Sequence, residues 1–210
     1  MKLFAFPIAP NPTKVRLYLA EKRVGGCAIP LEEIMVDLTK GEQKSPEHLA
    51  RNPFGLLPSL ELDDGRYVWE SLAIIEYLEE RFPEPSLLGR DPETRALRRQ
   101  LERIADIGVL ISIGRLVHTT DSPLGLPPEP AVADYFRRRL APNLDYLESV
   151  LADGRPLLAG DEVTIGDCTL AAALQFGRFR KLEFLADHPN LRRWDEAYRG
   201  REAAQGILVL

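Results

Sequence analysis

The stretch NPFGLLPSLELDDGRYVWES (52–71) holds residues whose types and spacing can do chemistry. Proline cannot donate to a β-ladder, so Pro58 belongs at a strand edge, and it keeps Leu57 before it extended. The N–H and C=O of Leu57 then face outward, able to pair with an extended peptide as an added strand would. Further on, Glu70-Ser71 opens a helix. The N–H groups there, with the Ser71 hydroxyl, suit a carboxylate, and the Glu70 carboxylate suits an ammonium. One surface thus reads a peptide backbone beside an amino-acid head group. Taken alone, the same pair is also an ordinary first-turn acid and helix cap.

A second constellation is FPIAPNPTKVRLYLAEK (6–22), a strand end and a proline-rich loop running straight into a helix. A helix mouth holds anions well, yet no Cys, Ser, Tyr or His precedes this helix. Asn11-Pro12 reads as an N-cap followed by proline at the first helical position. With the Asn11 side-chain oxygen capping the N–H of Thr13 or Lys14, its NH₂ group points outward.

The elements that position these residues follow from local signals. KLFAFPI (2–8) is a short apolar strand, and Val15, Tyr18 and Leu19 mark the apolar stripe of the first helix. AIPLEEIMV (28–36) is the second strand, and Ser45-Pro46 opens a short helix ending near Asn52-Pro53. Asp63-Asp64-Gly65 is a hairpin signal, and ESLAIIEYLEERF (70–82) is a helix. The order is β-α-β-α-β-β-α, an α/β domain over 1–82. A proline-rich linker over 83–92 leads to an all-α domain over 93–210, with helices near 93–118, 131–152, 165–180 and 190–199. Thr164-Ile165-Gly166-Asp167 fits a capping box with Asp in place of Glu, and Cys168 falls on the packed face of its helix.

Composition excludes several classes. A net charge of −5 speaks against nucleic-acid or anionic-membrane binding. The basic runs RALRRQLER (95–103) and FRRRL (136–140) read as solvated helix faces. No apolar run approaches the ~20 residues of a membrane helix, and MKLFAFPIAPNP makes a poor signal peptide. Cys27 and Cys168 form no C-x-x-C, and His48, His118 and His188 are scattered, so no disulfide framework or metal site is expected. The expected compartment is the reducing cytoplasm.

In order and spacing, these motifs resemble the cytosolic glutathione transferases over essentially the whole chain. The first 82 residues resemble their thioredoxin-like domain and the rest resembles their helical domain. GEQKSPEHLARNPFGLLPSLEL (41–62) is similar to the glutathione-site segment of phi-type and related bacterial members, and the 70–71 pair and TIGDCTLAAAL (164–174) match in spacing. The resemblance implies a detoxifying transferase that adds the glutathione thiolate to a small hydrophobic electrophile, with glutathione as co-substrate and no metal. Alternatives are a non-catalytic carrier of the same fold, or a glutathione-dependent dehalogenase, isomerase or peroxidase. It further implies that Leu57 pairs with the cysteinyl unit ahead of a cis Pro58, that Glu70 and Ser71 hold the γ-glutamyl head, and that Gln43 and Lys44 bind the glycine carboxylate. Gln100 would reach the γ-glutamyl group of a neighbouring subunit, and Phe54 would enter the partner of a homodimer. Ile8, Ile111, Arg115 and the tail GILVL (206–210) would line the acceptor pocket. Relatives place a Ser, Thr or Tyr hydroxyl at the sulfur, and the matching position here is Ala9; the Asn11 amide is the expected substitute. Leu56 also departs from a position that is often polar.

Overall fold

The computed structural model describes residues 1–209. Its first domain contains β1 (Lys2–Ala5), α1 (Pro10–Val24), β2 (Glu32–Met35), α2 (Pro46–Arg51), β3 (Ser59–Glu61), β4 (Tyr67–Trp69) and α3 (Ser71–Arg81). The order matches the sequence reading. The sheet runs β2-β1-β3-β4, with β1 and β2 parallel and the other two pairings antiparallel. β2 is shorter than expected because Pro30 has no N–H to give a ladder. The β3–β4 turn closes as predicted, with Gly65 at φ 82 and Leu62 N–H donating to the Arg66 carbonyl at 2.8 Å.

The second domain is helical: α4 (Pro92–Arg103), α5 (Ile111–Thr120), α6 (Pro130–Val150), α7 (Ile165–Phe179) and α8 (Pro189–Arg199). A π-helical stretch, Ile104–Leu110, joins α4 to α5 into the one long helix that the sequence suggests. Within it, Gly108 lets the helix approach α6, since a Cβ there would fall 2.1 Å from Asn143 Oδ1. The reach-back half of the α7 cap is present: the buried Asp167 carboxylate accepts from Thr164 N–H and Oγ1, and also from Leu158 N–H and Trp194 Nε1. Cys168 is buried, and burial pushes its thiol well above the ordinary range. Among the described residues no helix is long and apolar enough to cross a membrane.

Two expectations need correction. α1 is not a helix with one apolar stripe, because it is packed by α3 on one side and α7 on the other. Leu17, Lys14 and Lys22 are as buried as Val15 and Tyr18, while Leu19 is half-exposed. Nor is 95–103 a wholly solvated face, since Arg98 and Glu102 are buried against other elements.

The segment between the domains is pinned by one carboxylate. Glu79 of α3 accepts from Tyr18 Oη, Lys22 Nζ, Ser86 Oγ and the N–H groups of Leu87 and Leu88. The Lys22 ammonium also donates to the Phe82 and Pro85 carbonyls, and Leu87 and Leu88 are buried. Removing one member of a buried charge pair strands the other, at a cost of about 3–5 kcal/mol. Glu79→Ala should therefore lose about that much stability in urea unfolding; a loss below about 1 kcal/mol would contradict this account.

Candidate functional site

The helix mouths come together by a short sequence of turns. After β1 the chain passes through Ile8, which sits at φ 74, and enters α1 two residues earlier than the sequence suggests. Pro10 takes the first helical position, where its missing N–H costs nothing, and Ala9 is the N-cap with no side-chain bond to offer. Asn11 is thus inside the helix and is not its cap. Its Oδ1 accepts a hydrogen bond from Ser71 Oγ at 2.9 Å, and its amide nitrogen has no partner among the described residues. The expected capping of Thr13 is made instead by backbone, Thr13 N–H to the Ala9 carbonyl at 3.0 Å.

Ser71 is the first residue of α3, and Glu70 before it is an exposed N-cap at φ 67. The Ser71 hydroxyl is committed to Asn11, so what α3 offers outward is its first-turn N–H groups and the Glu70 carboxylate. The N-termini of α1 and α3 therefore converge, and both present partial positive charge to one spot.

Beside them lies the segment before β3. The Leu57–Pro58 peptide is cis, and neither the N–H nor the C=O of Leu57 has a hydrogen-bond partner among the described residues. Its neighbour is held firmly: the Leu56 carbonyl accepts from Asn52 Nδ2 at 3.0 Å and pairs with His48 Nε2 at 3.1 Å. Asn52 and His48, both buried, were not singled out as site residues from sequence; only the Asn52-Pro53 helix end hinted at them. Gln43 and Lys44 lie on a short 3₁₀ turn, Glu42–Lys44, packed over Gly55. A Cβ on Gly55 would meet the Gln43 carbonyl at 2.8 Å and Lys44 Nζ at 2.9 Å. The Gln43 Oε1 is buried without a partner.

α1 and the long helix run antiparallel. Val24 and Arg98 line one cavity, while Lys14 meets Glu102 and Asp106. Ile111, five residues beyond Asp106, is then about level with the start of α1, and Arg115 is roughly one turn further out. Both are exposed, as is Ile107. Arg115 and burial together hold the nearby His118 below its usual imidazole range, burial contributing more. In the tail, Ile207 is half-buried, and Leu210 lies outside the described residues.

Asn11, Glu70 and Ser71 form one mouth, with Leu57 and Pro58 on the free backbone stretch before β3 and Gln43 and Lys44 over the turn that leads into it. Gln100 does not join them; it lies exposed on α4 beside a cavity between α4 and α6. Phe54 is 64% exposed, edge-on to Trp69. A half-open cavity of about 500 Å³ lies at the inter-domain segment among Gly25, Pro85 and Arg201 and holds none of these residues. The site is an open cleft.

Comparison with known proteins bears on the same regions. Residues 3–86 match the family model for the glutathione S-transferase N-terminal domain, and residues 96–196 match that for the C-terminal domain. Glutathione S-transferase 2 of Saccharomyces cerevisiae is 31% identical, covering 100% of this chain and 90% of the relative. Glutathione S-transferase 3 of Zea mays is 32% identical, covering 98% and 91%. The crystal structure of Gtt2 from Saccharomyces cerevisiae superposes with a TM-score of 0.88 at 30% identity, covering 99% of this chain and 100% of that one.

Gly55 sits at φ 60 under the Gln43–Lys44 turn, so a side chain there is both strained and crowded. Gly55→Ala should cost about 1–3 kcal/mol in urea unfolding, and stability equal to the parent would mean that the turn is not tightly seated.

Proposed function

Because this chain belongs to the glutathione S-transferase family, we propose that it transfers glutathione by holding the tripeptide across Leu57 and the 70–71 pair with its sulfur at the mouth of α1. The observation that carries this reading is the convergence of two helix N-termini beside an unpaired extended backbone. Leu57 gives its N–H and C=O to the cysteinyl unit. The first-turn N–H groups of α3 take the γ-glutamyl carboxylate and Glu70 its ammonium. Ser71 acts on the head group through backbone, while its hydroxyl orients Asn11. Gln43, through its side-chain NH₂, and Lys44, through its ammonium, donate to the glycine carboxylate.

The protein needs no thiol of its own, but it must supply thiolate. A cysteine-like thiol of pKa about 8.5 is only ~3% ionised at pH 7. Ala9 has no hydroxyl to give. The Asn11 amide, its oxygen fixed by Ser71, has N–H donors free for the sulfur, and the α1 dipole adds to them. The thiol proton leaves to solvent, and a sulfur lone pair forms the S–C bond. Either a leaving group departs with its electron pair or the adjacent carbon is protonated. Proximity and ionisation carry the rate. Ile8, Ile111 and Arg115 line the acceptor side, where a half-buried Ile8 and an exposed Ile111 favour a small hydrophobic electrophile. Residues 41–62 resemble phi-type and related bacterial members, and a cytoplasmic setting fits two free cysteines.

Asn11→Ala should raise the bound-thiol pKa by about one to two units, since a hydrogen bond to a charged group contributes about 1.5–3 kcal/mol. Its glutathione affinity, read by calorimetry, should change much less. Unchanged thiol pKa with unchanged affinity would remove Asn11 from the mechanism. The absence of a hydroxyl also leaves a carrier as the second reading. Turnover of an activated aryl halide and a panel of other electrophiles above the uncatalysed background decides for the enzyme, and glutathione binding without any such turnover decides for the carrier.

The chain is further proposed to work as a homodimer. An exposed Phe54 needs a cover, and the cavity of about 320 Å³ between α4 and α6 is lined by Leu97, Leu101, Tyr146, Val150 and Leu158. Seating Phe54 of each subunit in that cavity of its partner would bring Gln100 toward the neighbouring site. Phe54→Asp should shift the protein to monomer in sedimentation velocity; a dimer as tight as the parent would place the interface elsewhere.

A further inference from the structure

A charged cluster beside the α1 mouth is not used by the chemistry above. Lys14 lies one turn past Asn11 and is fully buried, with its ammonium 2.7 Å from Glu102 Oε1 and 3.0 Å from Asp106 Oδ2. Both carboxylates come from the other domain. Arg103 Nη2 donates to Asp106 at 2.8 Å and its Nε lies 3.6 Å from Glu102 Oε2, while Thr169 Oγ1 of α7 donates to Glu102 at 3.3 Å. The Asp106 side chain keeps 13% of its surface exposed, against none for Lys14 and Glu102. Other charges on the neighbouring elements are Glu70 at the mouth and the Glu76–Arg99 pair, which bridges α3 and α4.

Two carboxylates thus stand within the first turns of the helix whose dipole is asked to hold an anion. We propose that Lys14 is a positioning residue for the reaction: it holds Glu102 and Asp106 against α1 and, together with Arg103, balances their charge near the sulfur, leaving the helix mouth free to act on the thiolate. The inference rests on the glutathione reading above. A pair on the protein surface would serve poorly, because solvent and salt would screen it. A buried ammonium one turn from Asn11 is screened far less. At about 9 Å and an effective dielectric near 20, one uncompensated charge moves a titrating group by about one pH unit.

The test is the pKa of the bound thiol, followed by thiolate ultraviolet absorbance in protein saturated with glutathione, after calorimetry has established uptake by the parent. No uptake by the parent would refute the glutathione reading itself. Given uptake, Lys14→Met should raise the thiol pKa by about one unit, while Lys14→Arg should keep it near the parent value. Asp106→Asn keeps the Lys14–Glu102 pair and removes one negative charge, so it should lower the thiol pKa; it decides the matter if Lys14→Met does not fold. A thiol pKa unmoved in Asp106→Asn, with glutathione still bound, would overturn the role of Lys14 and leave the function standing. A purely structural Lys14 would alter stability in these variants without moving the thiol titration in opposite directions.

Discussion

The hydrogen bond from Ser71 to Asn11 ties together two helices that start at one place, and the reading of the cleft depends on it. A helix start exposes unpaired N–H groups, and two of them side by side make a region where an anion is stabilised before any ligand-specific contact is made. The bond sets the direction of the Asn11 amide. With the oxygen occupied, only N–H donors remain to face the cleft. Ala9 has no hydroxyl to give, and in the proposed chemistry these donors act on the thiolate in its place.

Keeping α1 in that position is a matter of burial as much as of bonding. α1 lies between α3 of its own domain and α7 of the other, and three of its charged residues, Lys14, Glu21 and Lys22, are sealed inside with partners. Lys22 and Tyr18 converge on Glu79, Lys14 on Glu102 and Asp106, and Arg201 holds Glu21 through two nitrogens. Buried pairs of this kind are weak evidence of stability but strongly penalise any rearrangement that separates them. The domain arrangement and the helix mouth are therefore one mechanical unit. Domain motion that opened the α1–α7 contact would leave charges without partners.

Much of this was legible in the sequence wherever the determinant is local. The Asp-Gly hairpin, Ser45-Pro46, the Thr164–Asp167 cap and the helical order after residue 92 rest on residues within a turn of one another. Of the candidate site, Leu57-Pro58 and Glu70-Ser71 were legible for the same reason. The start of α1 was misjudged because Pro10 and Pro12 both suit a first helical position, and the choice is made by the turn at Ile8, which leaves no compositional trace. What remained hidden is what tertiary packing decides. Ser71 meets Asn11 across 60 residues, Lys22 meets Glu79 across 57, and Lys14 meets Glu102 across 88. A lysine in a helix reads as exposed until its partner is known.

The account stands or falls on whether the bound thiol is ionised without a protein hydroxyl. Glutathione calorimetry at pH 7 in buffers of different ionisation enthalpy measures this directly, because free glutathione enters almost wholly as thiol and any depression of its pKa on binding releases a proton. The account predicts saturable binding with release approaching one proton per site. Binding with no proton release, or no binding at millimolar glutathione, would contradict it.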